Sequence, residues 1–164
     1  MDKTFLDELA EYPVKALQKI GTDKTIVSLL TNNPSIDMNS KEADEIFDKY
    51  LFDYDYVDGT TDEAVAYICV EADLSNIPTR SIKNMRLYVK VMCHKKFMNI
   101  DASKFKGMIG NRRDNIARYV DKQLNGSDVF GIGQLSLVDC RTAPAPTGFA
   151  ARELSYVVSD FADK

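Results

Sequence analysis

The sequence predicts an α+β domain: a four-stranded antiparallel sheet in the order β-β-α-β-β, packed against one helix, with further helices at the N-terminus. Three observations carry that expectation. Residues 4–48 hold apolar positions at helical spacing. Residues 64–73 and 85–94 then read as consecutive strands with no helix between them, which favours antiparallel pairing. One amphipathic helix, residues 111–125, is followed by two more strand candidates. The texture changes near residue 50, so the chain divides into an N-terminal helical segment, 1–48, and an α+β domain, 49–164, built as one compact unit.

In "TFLDELAEYPVKALQKI", Phe5, Leu9, Leu17 and Ile20 share a face, with Leu6 and Val14 nearby. Pro13 either kinks that helix or starts a second one, and Gly21 suits its C-terminal end. "TDKTIVSLLTNNP" begins again with Thr22 or Asp23 as N-cap and stops at Asn33-Pro34. "NSKEADEIFDKYLF" gives one more short helix capped by Asn39 or Ser40. "AVAYICVEAD" is β-branched and apolar, a strand. "SNIPTRSIKN" reads as a connection. In "MRLYVKVMCH", Met85, Leu87, Val89, Val91 and Cys93 face one way, and Arg86, Tyr88, Lys90, Met92 and His94 the other. "GNRRDNIARYVDKQLNG" is the clearest helix, with Asn111 at its start and Asn125-Gly126 at its end. "GQLSLVDCR" and "RELSYVVSDF" are the last two strands, joined by a loop around residues 141–151 that is long enough to move.

The bulk composition narrows the function classes. The chain has 164 residues, 45% apolar and 28% charged, with a net charge of −4. A chain this long buries a real core without metal or disulfide staples. A net acidic balance argues against broad wrapping of nucleic acid. Three cysteines without C-x-x-C spacing are no disulfide framework, and all three fall in apolar runs where a thiol acts as a small core residue. Reducing, intracellular synthesis follows. The first residues carry acids and no signal-peptide run, and no stretch approaches the ~18 apolar residues of a membrane helix.

Each candidate site has a structural reading beside the chemical one. "VFGIGQLSL" contains a G-x-G, but a phosphate loop needs strand, glycines, then helix; here a helix precedes and a strand follows. Gly131 and Gly133 therefore read as a turn needing positive φ or close packing. "DYDYVDGTTDE" fits no register of a calcium loop; a cation held by Asp53, Asp55, Asp58 and Asp62 is the alternative to a solvated acidic turn. Cys93 and His94 are neighbours on a strand, so they point apart and make a poor nucleophile pair; His94, the single histidine, reads as an exposed strand-end residue. Arg112, Arg113 and Arg118 form either a patch for an acidic partner or the wet face of a helix, with Asp114–Arg118 paired at i,i+4. Arginine in a first helical turn opposes the helix dipole, which points to a compensating charge elsewhere. Tyr54, Tyr56, Tyr67 and Tyr88 cluster, as residues at protein contacts do. No nucleophile–base set, cofactor motif or metal signature assembles, so neither an enzyme nor a cofactor is expected.

Five segments carry a resemblance: "DEIFDKYLFDYDYVDGTTDEAVAYICVEA", "MRLYVKVMCHKKFM", "NRRDNIARYVDKQLNG", "GIGQLSLVDCR" and "ARELSYVVSDF". Their order and texture resemble tailed-bacteriophage neck proteins of the tail-terminator or tail-completion type, over residues 45–161. The resemblance implies a structural virion protein, made in the bacterial host cytoplasm and located at the head–tail joint. It implies a homo-oligomeric ring, usually a hexamer, that ends tail-tube growth. Its partners would be the tail-tube protein and a head-side adaptor, with DNA passing through the lumen without sequence-specific binding and no membrane involved. Phe97, Phe105 and Phe149, with Arg112, Arg113 and Arg118, are the expected interface residues, and segments 95–109 and 141–151 the expected contacts. The competing readings are another protein-binding adaptor, phage or cellular, and a small enzyme.

Overall fold

A computed structural model describes residues 5–55, 65–76, 82–131 and 133–161. Helix α1 spans Phe5–Gly21 and α2 spans Lys24–Thr31. Two single turns follow, α3 (Lys41–Asp44) and α4 (Ile46–Lys49), and lead into strand β1, Leu51–Phe52. Strands β2 (Ala66–Asn76) and β3 (Ile82–His94) come next, then a 3₁₀ turn at Lys95–Phe97. Helix α5 (Arg112–Leu124) and strands β4 (Ser136–Ala143) and β5 (Phe149–Phe161) complete the chain.

The sheet corrects the expected four-stranded antiparallel architecture. It has five strands in the order β1-β2-β3-β5-β4, and it is mixed, because β1 runs parallel to β2. The other neighbours are antiparallel. β1 escapes sequence reading because two residues, Leu51 and Phe52, are too short to show a period-two pattern. They become a strand only because the short helices deliver them to the β2 edge, where Ile68 donates its N–H to the Tyr50 carbonyl at 2.7 Å.

The helices end where their caps dictate. α1 runs through Pro13 as one 17-residue helix, forgoing the bond that residue 13 would donate to Leu9. Asp23 caps α2 by accepting from Thr25 and Ile26 N–H, and Asn32 ends it in the left-handed region at φ 55°. The second carboxylate oxygen of Asp23 accepts from Gln123 Nε2 at 2.6 Å, which ties α2 to α5. Asn111 caps α5, and Gly126 past its end sits at φ 80°.

One face of the sheet carries the core. Ile68 and Val70, Leu87, Val89 and Val91, and Leu154, Tyr156 and Val158 pack against Tyr12, Ala16 and Ile20 of α1, Leu29 and Leu30 of α2, and Ile116 and Val120 of α5. The alternation predicted for residues 85–94 holds: Cys93 is fully buried on the helix side. The opposite face has a smaller cluster of Tyr67, Cys69, Met92, Phe149 and Ala151, with Phe52, Ala143 and Ala145 against it. Charged pairs surround it, Lys90 with Asp55 at 3.2 Å and Arg141 with Glu153 at 3.2 Å. The β4–β5 connection is only residues 144–148, since Thr142 and Ala143 already pair with Arg152 and Ala151. Among the described residues no helix is long and apolar enough to cross a membrane.

Candidate functional site

Of the residues singled out in the sequence, the three arginines lie on α5, Arg112 and Arg113 in its first turn and Arg118 further along. Arg112 is 2% exposed, not on the wet face of the helix. Its guanidinium donates to the Phe97 carbonyl (2.8 Å), the Leu29 carbonyl (2.8 Å) and Asn32 Oδ1 (2.7 Å), and it lies over the Phe105 ring at 5.2 Å. Leu29 and Asn32 are at the C-terminal end of α2, where orphan carbonyls carry the negative end of that helix's dipole. The compensating charge that an arginine in a first turn calls for is therefore another helix's terminus. Arg112 is a staple inside the fold.

Arg113 and Arg118 also depart from the expected pattern. Asp114 does not pair with Arg118. It accepts from Arg113 Nε at 2.9 Å, Arg152 Nε at 2.6 Å and Asn111 Nδ2 at 2.9 Å, which fastens the α5 cap to β5. Burial pushes the Asp114 carboxyl up, but these donors together outweigh it and hold its pKa at about 2. A carboxyl with a depressed folded-state pKa adds stability above its unfolded value, near 3.8, and that contribution is lost as pH falls through about 2. Asp114→Asn is expected to flatten the stability profile between about pH 4 and pH 2. It should cost about 1 kcal/mol at neutral pH, a figure discounted because the side chain is partly open to water. Urea titrations at stepped pH check this; parallel profiles for the two proteins would refute it.

Arg118 reaches back to the Gly107 carbonyl at 3.2 Å and stacks on Tyr119. Its target belongs to the loop that precedes α5. Asn115, 1% exposed, grips that loop like a peptide group: Oδ1 accepts from Ile109 N–H at 3.1 Å, and Nδ2 donates to the Ile109 carbonyl at 2.8 Å. Gly107 and Gly110, at φ 77° and 76°, supply the left-handed turns on either side. The outcome is an ordered loop that holds Ile109 76% exposed. Segment 95–109 is an expected contact in the sequence, with Phe97 and Phe105 as its interface residues; the exposed apolar side chain in it is instead Ile109, in "GMIG".

The three predicted interface phenylalanines lie in different surroundings. Phe105 and Phe149 are each 5% exposed inside the single chain, and Phe97 is half-buried. Alanine at Phe105 or Phe149 would loosen the fold before it touched any contact between subunits. Phe149 belongs to an edge-to-face row, His94 at 5.0 Å on one side and Tyr67 at 5.3 Å on the other. His94 is thus no exposed strand end: it is half-buried, and its Nδ1 accepts from Lys96 N–H at 3.1 Å to cap the 3₁₀ turn. Cys93 points the other way, and burial pushes its thiol up to about 11, so the pair has no nucleophilic character.

Tyr67 is fully buried, Tyr54 is exposed, and Tyr88 is half-buried; Tyr56 lies outside the described residues. Asp58 and Asp62 do as well, while Asp55 is paired with Lys90. Among the described residues no three His, Cys, Asp or Glu side chains gather as a metal site. Cys69 and Cys93 are buried, but Cys140 is exposed on the edge strand β4, contrary to its expected core position. Gly133 has neither a positive φ nor a close neighbour, so it is not the conformational requirement expected of it. What anchors that stretch is Phe130, 2% exposed and edge-on to Tyr12 at 5.8 Å, with Gly126 N–H to Leu135 O and Leu135 N–H to Ser127 O closing the loop at 2.7 Å each.

No curated protein matches the chain. A family model, YomW, matches residues 23–158, from the cap of α2 into β5. YomW is the name of an SPbeta prophage protein, so the match is phage-related. The chain belongs to the YomW family.

Proposed function

We propose that this protein is a structural component of the phage head–tail joint, a homo-oligomeric ring that ends the tail tube and connects it to the head. Its partners on this reading are copies of itself, the tail-tube protein and a head-side adaptor, with DNA passing through the lumen. The observation that carries the reading is the pinned loop before α5. Asn115 and Arg118 fix a backbone whose one large exposed apolar side chain, Ile109, stands 76% open to solvent. A pre-ordered apolar contact of this kind suits permanent assembly, because little entropy is lost when it is covered. The family's phage connection supplies the setting. The role is mechanical and not catalytic.

Deleting the gene from the phage or prophage that carries it tests this directly. Electron micrographs of the lysate should show filled heads and separate tails, with tails of irregular length, and expression in trans should restore joined particles. Normal joined particles at normal titre would refute the proposal.

A further inference from the structure

We infer that the Ile109 tip of one chain seats in a groove on a second copy, formed by α1, α4 and β1, so that copies join head to tail. This inference rests on the assembly reading above and names the two surfaces it would use. The groove has a volume of about 420 Å3 and is lined by Val14, Leu17, Gln18, Phe47, Leu51 and Asp53. Val14 and Phe47 are 43% and 44% exposed although both are large and apolar. Leu6 and Ala10 extend the groove along α1, because they precede Val14 at steps of four residues on one helical stripe and are exposed as well. α1 thus has two apolar stripes. The one bearing Tyr12, Ala16 and Ile20 is in the core; the other faces outward.

Charge selects the occupant. Residues 95–110, the loop that carries the tip, hold four lysines against the single Asp101. Residues 44–55, along the groove, hold five acids against the single Lys49. Some of the acids are engaged within the chain, Glu45 by Lys49 and Asp55 by Lys90, while Asp53 lines the groove itself; on the α1 side Glu11 and Lys15 offset one another. A basic, apolar-tipped loop and an acidic-rimmed apolar groove on the same polypeptide are complementary between copies. Within one copy Ile109 is not among the residues that line the groove. The tip leads into α5, which packs on α1, α2, β3 and β5, while Phe47 and Leu51 place the groove's far wall at the β1 edge of the sheet. Two different surfaces joining in this way make a heterologous contact, which closes into a ring or runs on as a filament.

Sedimentation velocity in low salt, up to the solubility limit, tests the contact with two surface variants. Ile109→Asp places an acid against the acidic rim, and Val14→Lys places a base against the basic loop. Both positions are exposed, and unchanged thermal melts would confirm that the fold is intact. Wild type should self-associate, less so as salt rises, and each variant should associate roughly tenfold or more weakly. An equimolar mixture of the variants keeps one intact tip and one intact groove, so it should recover association to at least a heterodimer. A wild type that stays monomeric, a variant that associates as wild type does, or a mixture that stays monomeric overturns the inference. Those results, with unjoined particles in the deletion test, would remove this contact and leave the neck reading in place. Association through these surfaces with normal particles in the deletion test would do the reverse.

Discussion

Arg112→Ala should destabilise the protein by about 3–5 kcal/mol, the largest effect expected of any single arginine here. Three acceptors lose their donor at once: the carbonyls of Leu29 and Phe97 and the side chain of Asn32. At least the Leu29 contact lies in a fully buried setting, where water cannot replace the donor. The loss also uncouples three pieces of chain, because α2, the 3₁₀ turn and α5 meet at this guanidinium. Against a typical domain stability of about 5–15 kcal/mol, the variant would be marginal. Arg112→Lys should recover less than half of the loss, since one ammonium group cannot span acceptors that the planar fork reaches in three directions. Arg118→Ala is the control: its single visible bond, to Gly107, is exposed, so a cost under about 1 kcal/mol is expected. Urea denaturation separates the cases. If Arg112→Ala unfolds at the wild-type midpoint, the staple is not holding these elements together.

The arginine trio shows what could be read from the sequence and what could not. The helix, its Asn111 cap and the need for a charge facing the first turn were all legible, because they depend on residues within a few positions of one another. The identity of that partner was not legible. Leu29 and Asn32 are about eighty residues away in sequence, and a carbonyl at a helix end leaves no signature in a residue string. The same distinction runs through the fold. Long strands with a period-two pattern, such as β3, stand out. The two-residue β1 does not, because it is created by its neighbour. Ile109 illustrates the candidate site: the bracketing glycines mark a turn, but only the folded chain shows that Asn115 holds the turn rigid and leaves the side chain uncovered.

The second large effect is expected where a charge lies under α1. Lys83 has no exposed side-chain surface and pairs with Glu8, itself only 13% exposed. Lys83 is two residues before Met85 and four before Leu87, so strand parity puts it on the helix face with the core residues. Read as part of a connection, it carried no such implication; read as the second residue of β3, it is an inward lysine that requires an acid. Glu8 meets that need from the first turns of α1 and locks the N-terminal part of the helix onto the sheet. Lys83→Ala should therefore cost about 3–5 kcal/mol, because Glu8 is left against apolar surface without its counter-charge. Replacing both, as Lys83→Met with Glu8→Leu, removes the two desolvation costs together and should restore most of the stability or exceed it. A double-mutant cycle in urea measures the coupling. Hydrogen exchange adds a spatial check, since the single variant should lose protection first in the N-terminal half of α1. If Lys83→Ala leaves both the midpoint and α1 protection unchanged, the pair does not anchor the helix. α1 would then be held by its apolar core contacts, Leu9, Tyr12, Ala16, Leu17 and Ile20, and the outward stripe of Leu6, Ala10 and Val14 would be carried on a less firmly fixed support.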